Sequence, residues 1–282
     1  MILTELNFGC GRSLEKGELE DIAETYIASL FHAGQLCGEY FLTWIKGHLI
    51  CHVLMAGLCA DKTRYHSDWG KSNLKKVIKA FGRRPVWTIR DDEFPRRNIA
   101  WKAPTLHLFT HAFAWQPPLC RGDTGQSIPI FLLPLSFQGK DDLIRWQSEY
   151  HLYDRLWLNS GVLEIAAYKE LVDPNSGLSA EGRELCAEIE KATGVPTYYF
   201  LMRFYAPSQG ADDRRCPGCG KPWHIPQPQG APYQQWPFRC EPCRLVSKAG
   251  VDINKRLAKI GQWRPNSQKP KPRLKGAHSS AA

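Results

Sequence analysis

Ten cysteines are spread along this chain, and four of them form two pairs, Cys216-Pro217-Gly218-Cys219 and Cys240-Glu241-Pro242-Cys243, with twenty residues between the pairs. Two residues between thiols let one tight turn aim both sulfurs at one ion, and zinc(II) takes four such ligands in a tetrahedron at about 2.3 Å. Each pair is half a site. Gly218 and Gly220 can adopt left-handed backbone angles and turn their N–H groups toward the sulfurs. Twenty residues leave room for a hairpin that carries the second half. Trp223, Tyr233, Trp236 and Phe238 supply the small core that a module of this size lacks without metal. The expectation is a zinc ribbon holding one structural Zn2+ on Cys216, Cys219, Cys240 and Cys243. Four thiolates close the shell, so the site has no open position and does no catalysis. Unconnected buried cysteines or a redox C-x-x-C would leave the paired spacing unexplained. His224 is expected to face solvent, because the thiols already complete the shell.

Zinc with four thiolates is formally −2, and Arg215, Lys221, Arg239 and Arg244 next to the ligands offset that charge. The cations further on exceed this need. The chain carries +9 overall, and residues 244–282 alone hold ten Lys or Arg against the single Asp252, so the remaining residues are net neutral. That remainder is uneven too: residues 62–102 carry 12 basic against 4 acidic side chains, and residues 1–61 come to −5. Two basic segments therefore account for the charge, and cations of this kind engage phosphate. The candidate nucleic-acid contacts are Arg214, Arg215, Lys221, Arg239, Arg244, Lys248, Lys255, Arg256 and Lys259, with Trp223 or Trp236 stacking on bases. The internal basic segment interleaves Tyr65, Trp69, Phe81, Trp87 and Trp101, a composition suited to single strands. Its plainer reading makes Lys75, Lys76 and Lys79 the wet face of a helix whose Leu74, Val77, Ile78 and Phe81 pack inward.

The elements that must position these residues follow from periodicity. Ile2 to Phe8 alternates as a strand, Leu14 to Leu36 has helical spacing with acids crowding its first turns, and two strand-like runs, Glu39 to Ile45 and Leu49 to Ala56, flank a tight turn at Lys46-Gly47-His48. A helix over Ser72 to Phe81, closed by Gly82, and a strand over Val86 to Arg90 complete a β-α-β-β-α-β order, the split βαβ or ferredoxin-like pattern. Strands are expected at Leu106 to Phe113 and Ile128 to Leu133 with a loop between them. Helices follow over 141–158, 162–171 and 179–192, the last capped by Ser179, and then a strand over Thr197 to Phe204. The fold class is α+β: a ferredoxin-like body with added helices over 1–205, subdivided near 135, a linker at 206–213, a zinc ribbon over 214–247 and a basic, largely disordered tail over 248–282.

The Cys-Pro-Gly-Cys-Gly turn, the run Phe238-Arg-Cys-Glu-Pro-Cys-Arg-Leu-Val-Ser247, Thr197-Tyr-Tyr-Phe-Leu-Met-Arg-Phe-Tyr205, Trp146-Gln-Ser-Glu-Tyr150 and Leu178-Ser-Ala-Glu-Gly-Arg-Glu-Leu-Cys186 carry a resemblance. The chain resembles an uncharacterised bacterial zinc-ribbon-containing family, the domain-of-unknown-function family 2310, over residues 1 to about 250. The resemblance implies zinc-ligand roles for the four paired cysteines and a nucleic-acid role that is itself a conjecture for the family. Cys120-Arg-Gly-Asp123 lacks a second thiol, which argues against a second metal site there.

Other candidates carry less. His107 and His111 would share one face of a strand some 13 Å apart, too far to ligate together. Cys10, flanked by glycines before a helix start, is the lone thiol with a route to a lowered pKa, but nothing ties a base to it. Cys37, Cys51, Cys59, Cys120 and Cys186 read as small buried hydrophobes. Asp91-Asp92-Glu93 reads as a solvated turn among arginines. No P-loop, dinucleotide-binding glycine pattern or triad spacing is present. The opening residues carry no cationic stretch before an apolar one, and the longest apolar runs fall short of the roughly 18 residues of a membrane span. A cytoplasmic setting with reduced thiols is expected, with no membrane partner. The function expected is non-catalytic binding of RNA or single-stranded DNA. The alternative is a protein-interaction or adaptor module, with an enzyme as a third reading.

Overall fold

The computed structural model describes residues 1–11, 14–91, 97–208, 215–225 and 236–263. It divides into two compact units, Met1–His151 with Leu185–Tyr198, and Leu152–Glu184 with the described part of Tyr199–Ala282.

The first unit is built on β1 (Ile2–Gly9), α1 (Lys16–His32), β2 (Leu36–Ile45), β3 (His48–Met55), α2 (Asp68–Phe81) and β4 (Val86–Ile89). The four strands form one antiparallel sheet in the order β2-β3-β1-β4, so β3 is inserted between the two strands that α1 connects. Local chemistry explains each boundary. The Glu15 N–H donates to Glu18 Oε2 at 3.1 Å and opens α1, while Ser67 Oγ accepts from the Gly70 N–H at 3.0 Å and opens α2. Gly82, at φ +70°, ends α2 in the left-handed conformation. Ile45 pairs with His48 across a two-residue loop in which both Lys46 and Gly47 have positive φ, the primed turn that matches strand twist. Alternation then sends Ile2, Leu6 and Phe8 of β1 and Leu49, Cys51, Val53 and Met55 of β3 to the helix-covered face, where they pack on Tyr26, Ile27, Leu30, Val77 and Phe81. Lys75, Lys76 and Lys79 lie on the wet side of α2 while Leu74, Val77 and Phe81 are buried, as the plainer reading has it.

The proline-rich middle departs from expectation. Only Leu106–Leu108 is a strand (β5), and its partner β6 (Leu119–Arg121) lies inside the segment read as a loop. After Leu108 the chain turns back, with Ala114 N–H donating to the His111 carbonyl at 2.8 Å, so His107 and His111 do not share a strand. Ile128 to Leu133 is not a strand either. Pro129 starts a single 3-10 turn, Ile130–Leu132, and Pro134 follows it, which denies the segment the donors of a ladder. The helix over 141–158 begins earlier, as α3 (Phe137–Asn159).

The second unit contains the end of α3, then α4 (Glu164–Val172), the start of α5 (Gly177–Thr193), the last two residues of β7 (Thr197–Phe200), β8 (Tyr205–Ala206), β9 (Phe238–Cys240), β10 (Leu245–Ser247) and β11 (Asp252–Ile253). Ser176, not Ser179, caps α5: its Oγ accepts from the Ser179 N–H at 3.1 Å. The strand expected to reach Phe204 stops at Phe200: the Leu201 N–H still meets the Val246 carbonyl of β10, but the groups after it find other partners. The Phe204 and Tyr205 N–H groups donate to Tyr168 Oη, and Ser247 Oγ donates to the Leu201 carbonyl at 2.8 Å. β10 pairs parallel with Tyr199 and Phe200 and antiparallel with β9, while β11 pairs parallel with β8. Residues 209–214 of the expected linker, and residues 264–282 of the expected tail, lie outside the described residues.

Candidate metal centre

Two turns bring the paired cysteines together. In the first, the Gly220 N–H donates to the Cys216 carbonyl at 2.8 Å and Cys216 N–H to the Lys221 carbonyl at 2.9 Å, closing a loop that leaves both thiols on one side. Gly220 has φ +72°, and a Cβ there would lie 2.5 Å from the Trp263 indole, so both backbone angle and space demand glycine. The second turn is the β9–β10 connection. Cys240 pairs with Leu245, the loop Glu241 to Arg244 lies between, and Arg244 takes φ +50° to complete it. Trp223 and Ile225 join β9 through the bonds from Arg239 N–H to the Trp223 carbonyl, 2.8 Å, and from Ile225 N–H to the Pro237 carbonyl, 2.7 Å. The hairpin therefore carries the second half of the site next to the first.

The four sulfurs of Cys216, Cys219, Cys240 and Cys243 all lie within 4.8 Å of one another, and Cys219 Sγ is 3.6 Å from Cys240 Sγ. A tetrahedron of thiolates at about 2.3 Å from its centre has edges of about 3.8 Å. The donor set fits a single tetrahedral ion. Cys216 and Cys240 are buried, and the other two are half-buried. Burial pushes the thiols of Cys240 and Cys243 up, Cys243 to about 12. At Cys219 the same upward push is outweighed by the Lys221 N–H and by the three neighbouring thiols, which hold it below the ordinary thiol range. A cation at the centre would supply the charge these thiols need to ionise together. His224 is exposed, with its ring against Phe238 at 5.3 Å, and is not one of the clustered side chains.

The expected cations divide into groups. Arg239 and Arg244 both pair with Glu241, at 2.9 and 3.1 Å. Arg215 is exposed and donates to the Gly220 carbonyl at 3.1 Å. Lys221, Lys255, Arg256 and Lys259 are exposed and Lys248 is half-buried, while Arg214 lies outside the described residues. Of the two tryptophans, Trp223 takes the core role expected of it rather than the stacking one. Trp223 is only 3 % exposed, packed on Phe238 at 5.4 Å, and half-buried Trp236 lies against Phe200 at 4.4 Å, so Trp223 is core and not a base platform. Tyr233 lies outside the described residues. Sequence reasoning passed over Arg203, a buried arginine that donates to the Ala258 and Ile260 carbonyls and ties the chain after β11 to the segment between β7 and β8. An isolated arginine between aromatic residues gives no periodic signal that would have marked it.

The remaining sites do not assemble. Cys10 and Cys59 are exposed, and the burial expected of Cys59 fails because it sits in a turn at φ +65°. Cys120 is buried, which pushes its thiol up to about 12. His107 is buried opposite Cys120 in the β5–β6 pair. Asp92 and Glu93 lie outside the described residues. Among the described residues, the four paired cysteines are the cluster able to hold a metal ion, and no helix is long and apolar enough to cross a membrane.

Fold and site together define an α+β protein with a small four-cysteine metal-binding module near its C-terminal end. Residues 101–202 match the family model of a domain of unknown function (DUF2310), and residues 208–253 match that of another (DUF8594). Two Haemophilus influenzae proteins, each described only as an uncharacterised protein, are 37 % identical to the chain over 159 residues, 56 % of its length. The aligned stretch spans 75 % of one relative and 58 % of the other. The chain belongs to the uncharacterised bacterial family of these Haemophilus proteins. The family match lies over the middle of the chain rather than over residues 1 to about 250, and the cysteine module matches a separate model. No solved structure matches.

Proposed function

We propose that the four-cysteine centre holds one structural zinc(II) in a ribbon, and that the protein is a non-catalytic, cytoplasmic binder of RNA or single-stranded DNA. The observation that carries the metal assignment is the closure of four sulfurs within 4.8 Å, which leaves no open position for substrate. Bound there, zinc cross-links the two turns and gives a rigid, formally −2 centre. The cations around it act in two ways. Arg239 and Arg244 are engaged by Glu241, and offset the cluster's charge from close by. Lys221, Lys255, Arg256 and Lys259 are exposed to solvent and are the ones placed to meet phosphate. The order and antiparallel pairing of the N-terminal sheet support assigning that half to the ferredoxin-like class.

A second reading, a protein-interaction or adaptor module, draws on Val251 and Ile253, apolar residues left 68 % and 55 % exposed beside β8. One titration separates the two. A labelled single strand should bind the full chain with log K falling by about 0.7 per phosphate contact per log unit of salt. Replacing Lys255, Arg256 and Lys259 with Gln should flatten that slope by about 2. Absence of binding at low salt would remove the nucleic-acid reading and leave the adaptor.

A further inference from the structure

The N-terminal sheet has a second face that its own helices do not cover. Antiparallel register sets Phe41, His52, Glu5 and Thr88 in one row across all four strands, with Thr43, Ile50, Asn7 and Val86 in the next. These alternate with the side chains that pack on α1 and α2, so they lie on the opposite face, where Ile50 in the middle of the sheet is itself buried. Phe41 is 71 % exposed, and Leu3, Ile45 and Val86 on the same face are exposed as well. The face is not uniformly apolar. Arg90 Nη2 meets Glu5 Oε2 at 2.8 Å, and His52 Nε2 lies 3.8 Å from the same carboxylate. At the end where the β2–β3 turn and the start of β4 come together, Lys46, Arg83 and Arg84 are all exposed. With Arg90, four cations stand on or around the face, against Glu5, Glu39 and Asp91 next to Arg90.

From this arrangement we infer that the open sheet face is a docking surface for single-stranded nucleic acid, with an unpaired base stacked on Phe41 and phosphates drawn to the Lys46, Arg83 and Arg84 end. The inference rests on the nucleic-acid reading above and places a second surface apart from the ribbon. The partner must be flat and apolar where it meets Phe41 and anionic where it meets the rim. A single strand is both, whereas the bases of a duplex are already stacked on one another. A second copy of this face would bury the Glu5–Arg90 pair and, paired with its strands parallel, would also set Lys46, Arg83 and Arg84 against their own like, so charge favours the polyanion.

The test uses full-length, metal-loaded protein and a labelled oligouridine. Phe41→Ala should weaken binding on the order of tenfold without changing the salt slope, because stacking releases no counterions, and Phe41→Tyr should retain it. A thermal melt unchanged from wild type shows that the exposed ring was not holding the fold. Photocrosslinks from 5-iodouridine should map to β2 and β3. If wild type binds but Phe41→Ala binds equally and crosslinks fall only on the ribbon, the sheet surface is wrong and the ribbon reading stands. If Phe41→Ala instead abolishes self-association with RNA affinity unchanged, the face belongs to a second copy and the inference fails. If wild type binds no oligonucleotide, both fail together.

Discussion

Cys219 and Cys240 come from different turns, 21 residues apart in the chain, yet their sulfurs lie 3.6 Å from each other. That separation is close to the edge of a thiolate tetrahedron around one ion. The β9–β10 hairpin that makes it possible does not end at the four-cysteine cluster. β10 continues it onto β7, where Tyr199 N–H donates to the Arg244 carbonyl and Leu201 N–H to the Val246 carbonyl, each at 2.9 Å.

Loss of one ligand should therefore be felt beyond the turns. Cys240→Ser is expected to release the metal and to strip protection from the Tyr199 and Leu201 amides in hydrogen exchange, while the Cys51 and Val53 amides of β3 keep theirs. Retained protection at Tyr199 and Leu201 in a metal-free variant would show that the hairpin holds this pairing without metal.

Gly218 sets a steric limit on the site. A Cβ at this position would lie 2.9 Å from Cys243 Sγ, closer than real side chains approach. Gly218→Ala should displace that sulfur and speed metal loss to a chelator by roughly an order of magnitude, with the first unit's melting unchanged. Equal release rates would mean the turn relaxes freely.

None of the ten cysteines, all of them among the described residues, is in a disulfide. A thiol titration in denaturant after chelation should approach ten. Fewer, with the deficit restored by reductant, would indicate disulfides and an oxidising compartment.

His66 gives the first unit an acid-sensitive point. Its ring is buried and shares a 3.0 Å hydrogen bond with Tyr26 Oη, and burial, aided by Lys71, lowers its pKa from 6.5 to about 4. The unfolded chain thus binds this proton more readily than the folded one. The histidine's contribution is complete above about pH 6.5 and is lost as pH falls toward 4, at a cost of at most about 3 kcal/mol. Denaturant melts of wild type and His66→Gln at several pH values should differ in slope within that window. Parallel pH dependences would assign the effect elsewhere.

Much of this was legible in the residues. Alternation in Ile2 to Phe8, the acids ahead of Leu19 and the Lys46-Gly47 turn place β1, α1 and the β2–β3 hairpin because local preference and burial agree there. The four-cysteine cluster was legible because two thiol pairs at that spacing have no ordinary packing role. What failed did so where long-range pairing decides. β6 is three residues long and exists only because β5 lies beside it, and Ile130–Leu132 is apolar like a strand but held between prolines. Trp223 reads from the sequence both as part of the small core and as a base platform, and only the core role holds, since composition cannot say which aromatic residue fills a small core and which faces water.

The central claim is the zinc centre, and X-ray absorption at the zinc edge, with elemental analysis of the same sample, tests it most directly. The account predicts one zinc per chain with four sulfur neighbours at about 2.3 Å. A protein purified without metal, with iron in its place, or with zinc bound through nitrogen or oxygen would contradict it.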